Sequence, residues 1–380
     1  MSTSLRARGW REYNPMLLLA VLLLLAISIP MIYSTTVGAN GVLSFSLGSS
    51  FAKHLVWIGV GVPILFILSF IDYQMLRPLA LPLYGLAMLT LVAVIALGQV
   101  KGGAQSWIGS SQLAFQPTEP AKLVVIIALA AFWSKRADAP GTWQALLLSL
   151  LLIMPPLGLV LLQPDFGSAM VIVGIWLVMA FVANTRWYQF LLLTLIAAPS
   201  AVWAWTNVLK VYQRDRLSVF LTPERCDTDP VFYARACWQT IQARLAIGNG
   251  GIGGMGLNRG IQSQFNYLPV QESDFIFAVT AEELGFIGAA TVIVLQLIII
   301  WQIWRVVEHA RDPFGRLLAA GIGGLLLVHC LENMGMNLIM MPMTGIPLPF
   351  LSYGGSFTLT VLASIGMVQS VSLRRRRWSF

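Results

Sequence analysis

Residues 15–33 read PMLLLAVLLLLAISIPMIY, nineteen residues without a charge, and a helix needs about 20 apolar residues to cross a hydrocarbon core. Runs of the same kind recur near Leu55 to Ile71, Leu79 to Leu97, Pro120 to Trp133, Trp143 to Leu162, Gly167 to Ala183, Tyr188 to Trp205, Phe275 to Ile303, Leu317 to Met341 and Pro349 to Val371. The whole chain of 380 residues is 57% hydrophobic and 11% charged, where a soluble domain carries roughly a quarter charged. That excludes an ordinary soluble enzyme. The even recurrence of the runs favours one membrane-embedded unit, residues 1–380, over separate domains.

Basic residues set the orientation. Arg6, Arg8 and Arg11, then Arg77, Lys135 and Arg136, Arg186, then Arg305, Arg311 and Arg316, and finally Arg374 to Arg377 fall in every second gap. Ten spans with both termini in the cytoplasm place all of these inside, while Lys53 and Lys101 fall in short outer gaps. The expected fold is therefore all-α: a polytopic membrane protein with ten transmembrane helices and one large extracytoplasmic loop over about 206–274. The net charge of +8 reads as cytoplasmic anchoring to membrane lipid rather than nucleic-acid binding. No small-residue cleavage site closely follows the first run, which is expected to be retained as a span.

Two of the three cysteines, Cys226 and Cys237, lie in the large outer loop. They can close a disulfide in an oxidising compartment or remain free thiols; spacing alone does not decide. His54, His309 and His329 are scattered and read as structural, and no metal-site spacing of Cys and His occurs.

Charges at membrane depth cost about 2.5–3.5 kcal/mol on insertion scales and mark functional sites by default. Here they gather toward the outer side: Glu119 and Lys122, Asp165 in the turn Gln163-Pro164-Asp165-Phe166-Gly167, Asp274, Glu282 and Glu283, with Glu332 and Asn333 adding polarity to the ninth span. Each has a plain alternative. Glu119 and Lys122 can be an intrahelical ion pair, Asp165 a helix cap, and neighbouring Glu282 and Glu283 cannot share a helix face. Asp274 stands where the polar loop meets Phe275-Ile276-Phe277-Ala278-Val279. Partial desolvation there makes a carboxylate a better proton acceptor, against the alternative of an N-cap. The run Gly248-Asn249-Gly250-Gly251-Ile252-Gly253-Gly254-Met255-Gly256 lets backbone N–H groups approach an anion. Arg214, Arg216, Arg244 and Arg259 can add charge-assisted hydrogen bonds to a diphosphate or form a solvated basic face. Pro342 to Pro349 breaks the chain between the last two spans, which is tolerated at depth only where protein or a wet cavity satisfies the backbone.

Taken together these segments resemble the SEDS family (shape, elongation, division and sporulation; RodA, FtsW and SpoVE) over nearly the whole chain. The resemblance rests on Gly103-Ala104-Gln105 with Trp107, Phe115-Gln116-Pro117-Thr118-Glu119 with Lys122, and Gln163 to Gly167. It continues through Ala246-Ile247-Gly248 with Gly250-Gly251, Asp274 to Ala278 with Glu282-Glu283-Leu284-Gly285, and Gly345 to Ser356, which includes Ser352. It implies a peptidoglycan glycosyltransferase that polymerises lipid II at the outer face of the bacterial cytoplasmic membrane, for elongation or division, partnered by a class B penicillin-binding transpeptidase. Asp274 matches the family's essential aspartate, proposed to deprotonate the acceptor sugar's 4-hydroxyl. Glu119, Lys122 and Asp165 match polar cavity positions, and Arg216 resembles the arginine ahead of the family's loop helix. Where the family carries Pro-Glu-x-His-Thr before the aspartate, this chain reads Pro269-Val270-Gln271-Glu272-Ser273, and the family's Gly-Lys-Gly reads Gly254-Met255-Gly256. No dedicated cofactor is expected; a magnesium- or manganese-like cation would be held by the lipid diphosphate plus one carboxylate. The rival readings are a lipid II flippase, which needs polar residues through to the cytoplasmic side, and a noncatalytic scaffold for the transpeptidase.

Overall fold

A computed structural model describes residues 13–37, 49–101, 104–109, 114–136, 141–207 and 211–374. Arg6, Arg8, Arg11, Gly103 and Arg375 to Arg377 lie outside the described residues. Helices occupy the apolar runs: α1 (Pro15–Val37), α2 (Ser50–Phe70), α3 (Leu76–Leu97), α4 (Thr118–Ser134), α5 (Trp143–Leu162), α6 (Phe166–Val182) and α7 (Trp187–Asn207). After the loop come α10 (Ile276–His309), α11 (Pro313–Asn337) and α12 (Gly355–Leu373), with α8 (Val211–Leu221) and α9 (Trp238–Asn249) in the loop itself. Among the described residues seven helices are long and apolar enough to cross a membrane: α1, α2, α3 with its leading turn, α5, α10, α11 and α12. Helix α6 and the Trp187–Pro199 part of α7 are apolar but shorter. Helix α4 is 17 residues long and carries Glu119 in its first turn.

Burial sorts the helices. The apolar windows of α11 and α12 are 72% and 83% buried, those of α2 and the third helix 22% each, so the last two helices form the centre and the second and third the rim. Small residues let the centre close. A Cβ on Gly321 of α11 would stand 2.5 Å from Ile126 of α4 and 2.7 Å from Met179 of α6, and one on Gly61 of α2 would stand 2.4 Å from Leu362 of α12. The rim helices carry Leu81 at 78% and Leu97 at 79% exposure, values that suit a lipid solvent.

Four expectations need correction. Helix α11 starts at Pro313 rather than Leu317, because the Asp312 carboxylate accepts the Gly315 N–H at 3.1 Å and caps it, with proline suited to the first turn. The last helix begins at Gly355, not Pro349. The chain is not wholly helical: strands β1 (Gln99–Lys101), β2 (Ala104–Gly109) and β3 (Ala114–Phe115) form a small antiparallel sheet, with Gln99 opposite Trp107 and Ile108 opposite Phe115.

The fourth concerns the glycine run. Helix α10 is broken at Gly285, whose φ is 68° and ψ −165°. The chain from Gly250 to Gly256 closes on that break. The Met255 and Gly256 N–H groups donate to the Glu282 and Glu283 carbonyls at 3.0 Å each, and the Phe286 N–H donates to Gly251 O at 2.8 Å. A break in an apolar helix strands backbone groups that must be paired, and glycines allow the approach: a Cβ on Gly250 would stand 1.9 Å from Ala281 O, and one on Gly285 2.2 Å from Gly254 N. Gly250 and Gly251 thus bind the loop to α10, and the Gly250, Gly254, Met255 and Gly256 N–H groups are spent on carbonyls of the protein rather than held for an anion.

Candidate active site

Asp274 sits one residue before the N-cap of α10, and its backbone is pinned from two directions. Its carbonyl accepts from Asn333 Nδ2 at 3.0 Å and Asn337 Nδ2 at 3.2 Å, both on α11. The preceding carbonyls are held by the stretch leading into α12: Ser352 Oγ donates to Ser273 O at 2.6 Å, and the Tyr353 N–H to Glu272 O at 2.7 Å. Ser352 Oγ also accepts the Leu348 N–H at 2.7 Å. Three successive carbonyls are therefore fixed, which fixes where the carboxylate points. Helix α10 starts with Phe275 as its N-cap and no side chain caps it, so capping is not what Asp274 does. Its Oδ1 accepts from the Ser273 hydroxyl. Its Oδ2 faces Gly345, where a Cβ would lie 3.1 Å away. Burial raises the Asp274 pKa above the ordinary carboxylate range and Glu272 adds to that, while the Ser273 hydroxyl and the Arg216 guanidinium pull against it. A partly desolvated carboxylate whose pKa is raised is a better proton acceptor than a solvated one.

A second polar cluster lies deeper. Lys122 Nζ pairs with Glu119 Oε1 at 2.8 Å in an almost fully buried intrahelical bridge, so the ion-pair alternative is realised. Lys122 also reaches His329 Nε2 of α11 at 3.2 Å. His329 Nδ1 lies 3.0 Å from Pro347 O; a carbonyl only accepts, so Nδ1 carries the hydrogen and Nε2 offers its lone pair to the ammonium. Asp165 caps α6, accepting the Ser168 N–H at 2.9 Å on Oδ1, while its Oδ2 accepts from Gln116 Nε2 at 3.3 Å. Gln116 is tied to α12 by its own N–H, which donates to Ser356 Oγ at 2.8 Å.

The two clusters share the irregular segment Pro342–Pro349, which supplies carbonyls to both. Asn333 Nδ2 donates to Ile346 O at 2.8 Å and Gln296 Nε2 to Pro349 O at 2.6 Å, alongside the His329 contact to Pro347. The Thr344 hydroxyl meets Glu332 Oε2 at 3.3 Å. Glu282 and Glu283 work elsewhere. Glu282 accepts the Gln262 and Ser263 N–H groups at 2.8 and 3.1 Å, and Glu283 takes the hydroxyls of Ser34 and Ser263. Both are structural anchors for the loop.

Of the loop arginines, Arg216 is half-buried and lines a cavity of about 530 Å³ together with Asp215, Trp238, Gln239 and Met343. It also borders a smaller cavity with Pro164, Phe166 and Pro342. It is the arginine whose charge acts on Asp274. Arg244 and Arg259 are exposed and line neither cavity, and Arg214 donates to Thr206 O at 2.8 Å. Cys226 and Cys237 are joined, their Cα atoms 5.9 Å apart, in a small core with Val219 and Phe232. Among the described residues no group of three or more His, Cys, Asp or Glu side chains could hold a metal ion.

Asn337 and Gln296 are not singled out by the sequence, His329 reads there as structural only, and Gly345 enters only as part of a family motif. One signal was present: His329, Asn333 and Asn337 recur every fourth residue, which puts them on one helix face. Polar residues repeated at that period in an apolar helix mark a buried polar seam.

The family of cell cycle proteins FtsW, RodA and SpoVE matches residues 15–377. The chain is 30% identical over 442 residues to the peptidoglycan glycosyltransferase RodA of Treponema pallidum, covering 98% of this chain and 100% of that protein. It is 32% identical over 366 residues to the peptidoglycan glycosyltransferase MrdB of Escherichia coli, covering 96% and 95%. Among solved structures it is similar to a chain from a peptidoglycan synthase complex described as coordinating polymerization and crosslinking, with a TM-score of 0.78, 30% identity and coverage of 96% and 98%.

Proposed function

This chain belongs to the FtsW, RodA and SpoVE family of cell cycle proteins, and from that premise we propose that it is a peptidoglycan glycosyltransferase that polymerises lipid II, with Asp274 as general base. The relatives' names supply the reaction class. The observation that carries the residue assignment is the pinned, half-buried Asp274 carboxylate with one oxygen toward Gly345 and Arg216 nearby.

In the step we propose, the acceptor sugar's 4-hydroxyl gives its proton to Asp274 as its oxygen bonds to the donor's anomeric carbon. The bond from that carbon to undecaprenyl diphosphate breaks, and the diphosphate leaves with the electron pair. Displacement in one step inverts the anomeric centre. Diphosphate is already a tolerable leaving group, so positioning and charge stabilisation remain for the protein. Arg216, on the wall of the outer cavity, is placed to meet the developing charge. Glu119, Lys122 and Asp165 organise the floor rather than touch the reacting atoms. A magnesium- or manganese-like ion would belong with the substrate diphosphate and take one carboxylate from this chain.

The reading extends to ten membrane-crossing helices, with the 206–274 loop and Asp274 on the outer side of the bacterial cytoplasmic membrane. It also includes a class B penicillin-binding transpeptidase as partner; likeness to a chain of a synthase complex supports that partner. The flippase and scaffold readings gain nothing from the relatives or from the site. The deciding experiment is polymerisation of labelled lipid II by purified protein, alone and with its transpeptidase, comparing wild type with Asp274→Asn, while lipid II scrambling is followed in vesicles. Glycan chains from wild type alone support the assignment. No chains under any condition, with transbilayer movement intact in both proteins, would overturn it in favour of transport.

A further inference from the structure

At the opposite end of the bundle from Asp274, three adjoining clefts open where α4, α5, α6, α10 and α11 begin or end. One of about 280 Å³ is lined by Arg136, Arg311 and Arg316 with Asn184, Thr185 and Asp312. The next, about 330 Å³, shares Arg316, Asn184 and Thr185 and is walled by Phe181, Trp304 and Val307. The third, about 400 Å³, has Arg136 with Arg77 and Lys135 at its polar end and Leu81, Tyr84 and Phe132 along its side.

The charge at this end is uneven. Arg136, Arg311 and Arg316 make no ion pair among the described residues. The facing acids are Asp312 and Glu308. Asp312 is already engaged: one oxygen caps α11 at Gly315, and the other takes the Tyr73 hydroxyl and Gln74 Nε2. Beside these cations the walls are apolar and open, with Phe181 68% and Trp304 42% exposed. A free phosphate would use the cations and leave the aromatic wall bare. A molecule with an anionic phosphate and an acyl chain uses both.

We propose that the cleft around Arg316 binds an anionic phospholipid, its phosphate on Arg311 and Arg316 and its acyl chain along Phe181 and Trp304. Basic pockets between membrane helices on the cytoplasmic side recognise such head groups, each cation near the surface contributing roughly fivefold in affinity. The proposal rests on reading this end of the helices as the cytoplasmic face, and it concerns a site separate from polymerisation.

The test uses full-length protein in mixed micelles with acyl-brominated phosphatidylglycerol or phosphatidylcholine. The Trp304 share of the tryptophan quenching is taken as the difference between wild type and Trp304→Phe. We expect phosphatidylglycerol to be preferred by roughly tenfold or more, the preference to fall roughly fivefold in Arg316→Gln, and millimolar inorganic phosphate to leave it intact. Equal quenching by the two lipids in wild type overturns the proposal, and displacement by inorganic phosphate alone overturns the lipid assignment. If Arg316→Gln fails to fold, salt replaces it: the wild-type preference must collapse as sodium chloride is raised, and a salt-independent preference overturns the site. Polymerisation of lipid II, measured on the same preparations, reports separately on the reading of the outer site.

Discussion

Lys122 and His329 meet across α4 and α11, Nζ to Nε2 at 3.2 Å, while the same ammonium pairs with Glu119 at 2.8 Å. The ammonium is thus the only cation in a buried cluster of otherwise neutral or anionic groups among the described residues. Removing one partner of a buried pair leaves an uncompensated charge and costs about 3–5 kcal/mol. Lys122→Met should therefore unfold at markedly lower temperature than wild type, and Glu119→Gln combined with it should recover most of the loss. Thermal unfolding of the three proteins in detergent checks this; an additive double mutant would show that the pair carries no coupling.

Asp274 gives a pH dependence with a fixed sign. Its pKa is raised by burial and by Glu272, and in the proposed role of base it works only when deprotonated, so polymerisation should fall as pH drops through a value above the ordinary carboxylate range. Glu272→Gln removes a raising charge and should move that acid limb to lower pH; Ser273→Ala removes a lowering hydrogen bond and should move it up. Because the folded state favours the protonated acid, the stability this group supplies is present at low pH and lost as pH rises through its folded pKa. Asp274→Asn should then be at least as heat-stable as wild type near neutrality while making no glycan.

Much of the frame was legible because long apolar runs fold as helices: the runs from Pro15 to Val371 mark α1 to α7 and α10 to α12, seven of them long and apolar enough to cross a membrane among the described residues. The fourth run is short because Glu119 stands just before it and Lys122 near its start, and the helix itself takes in both from Thr118 on. What the sequence hid is tertiary. The glycine run reads as an anion nest until Gly285 is seen to break α10 some thirty residues later. The restraint on Asp274 comes from Asn333, Asn337 and Ser352, distant in sequence and brought together only by packing of α11 and the stretch before α12.

The glycine clip makes a graded prediction. A Cβ on Gly285, at φ 68°, would stand 2.2 Å from Gly254 N, so Gly285→Ala should cost about 3 kcal/mol or more from strain and backbone collision together. Gly251, at φ 54°, has nothing within 4 Å of a Cβ, and Gly251→Ala should cost only the left-handed penalty of about 1–2 kcal/mol. Gly248 is helical and equally open, so alanine there should stabilise by about 0.5–1 kcal/mol. Unfolding temperatures must rank in that order; a mild Gly285→Ala would mean the clip is not rigid.

Asn333 separates positioning from binding. Its amide donates to Asp274 O at 3.0 Å and Ile346 O at 2.8 Å, tying the carboxylate-bearing turn to the irregular segment, and it does not line the cavity that Arg216 lines. Asn333→Ala leaves two carbonyls short of a donor, at about 1–3 kcal/mol each where they stay buried; Asn337 still reaches Asp274 at 3.2 Å and should keep the turn formed. A base displaced by a fraction of an ångström loses rate without losing substrate. We therefore expect kcat for lipid II polymerisation to fall by about tenfold or more while KM holds within about twofold, the pattern of an interaction made in the transition state rather than in the bound complex. Asn333→Gln, which keeps the donor on a longer arm, should recover part of the rate. An unchanged kcat with a raised KM would place Asn333 in substrate binding instead and remove the two-sided restraint from the account of how Asp274 is aimed.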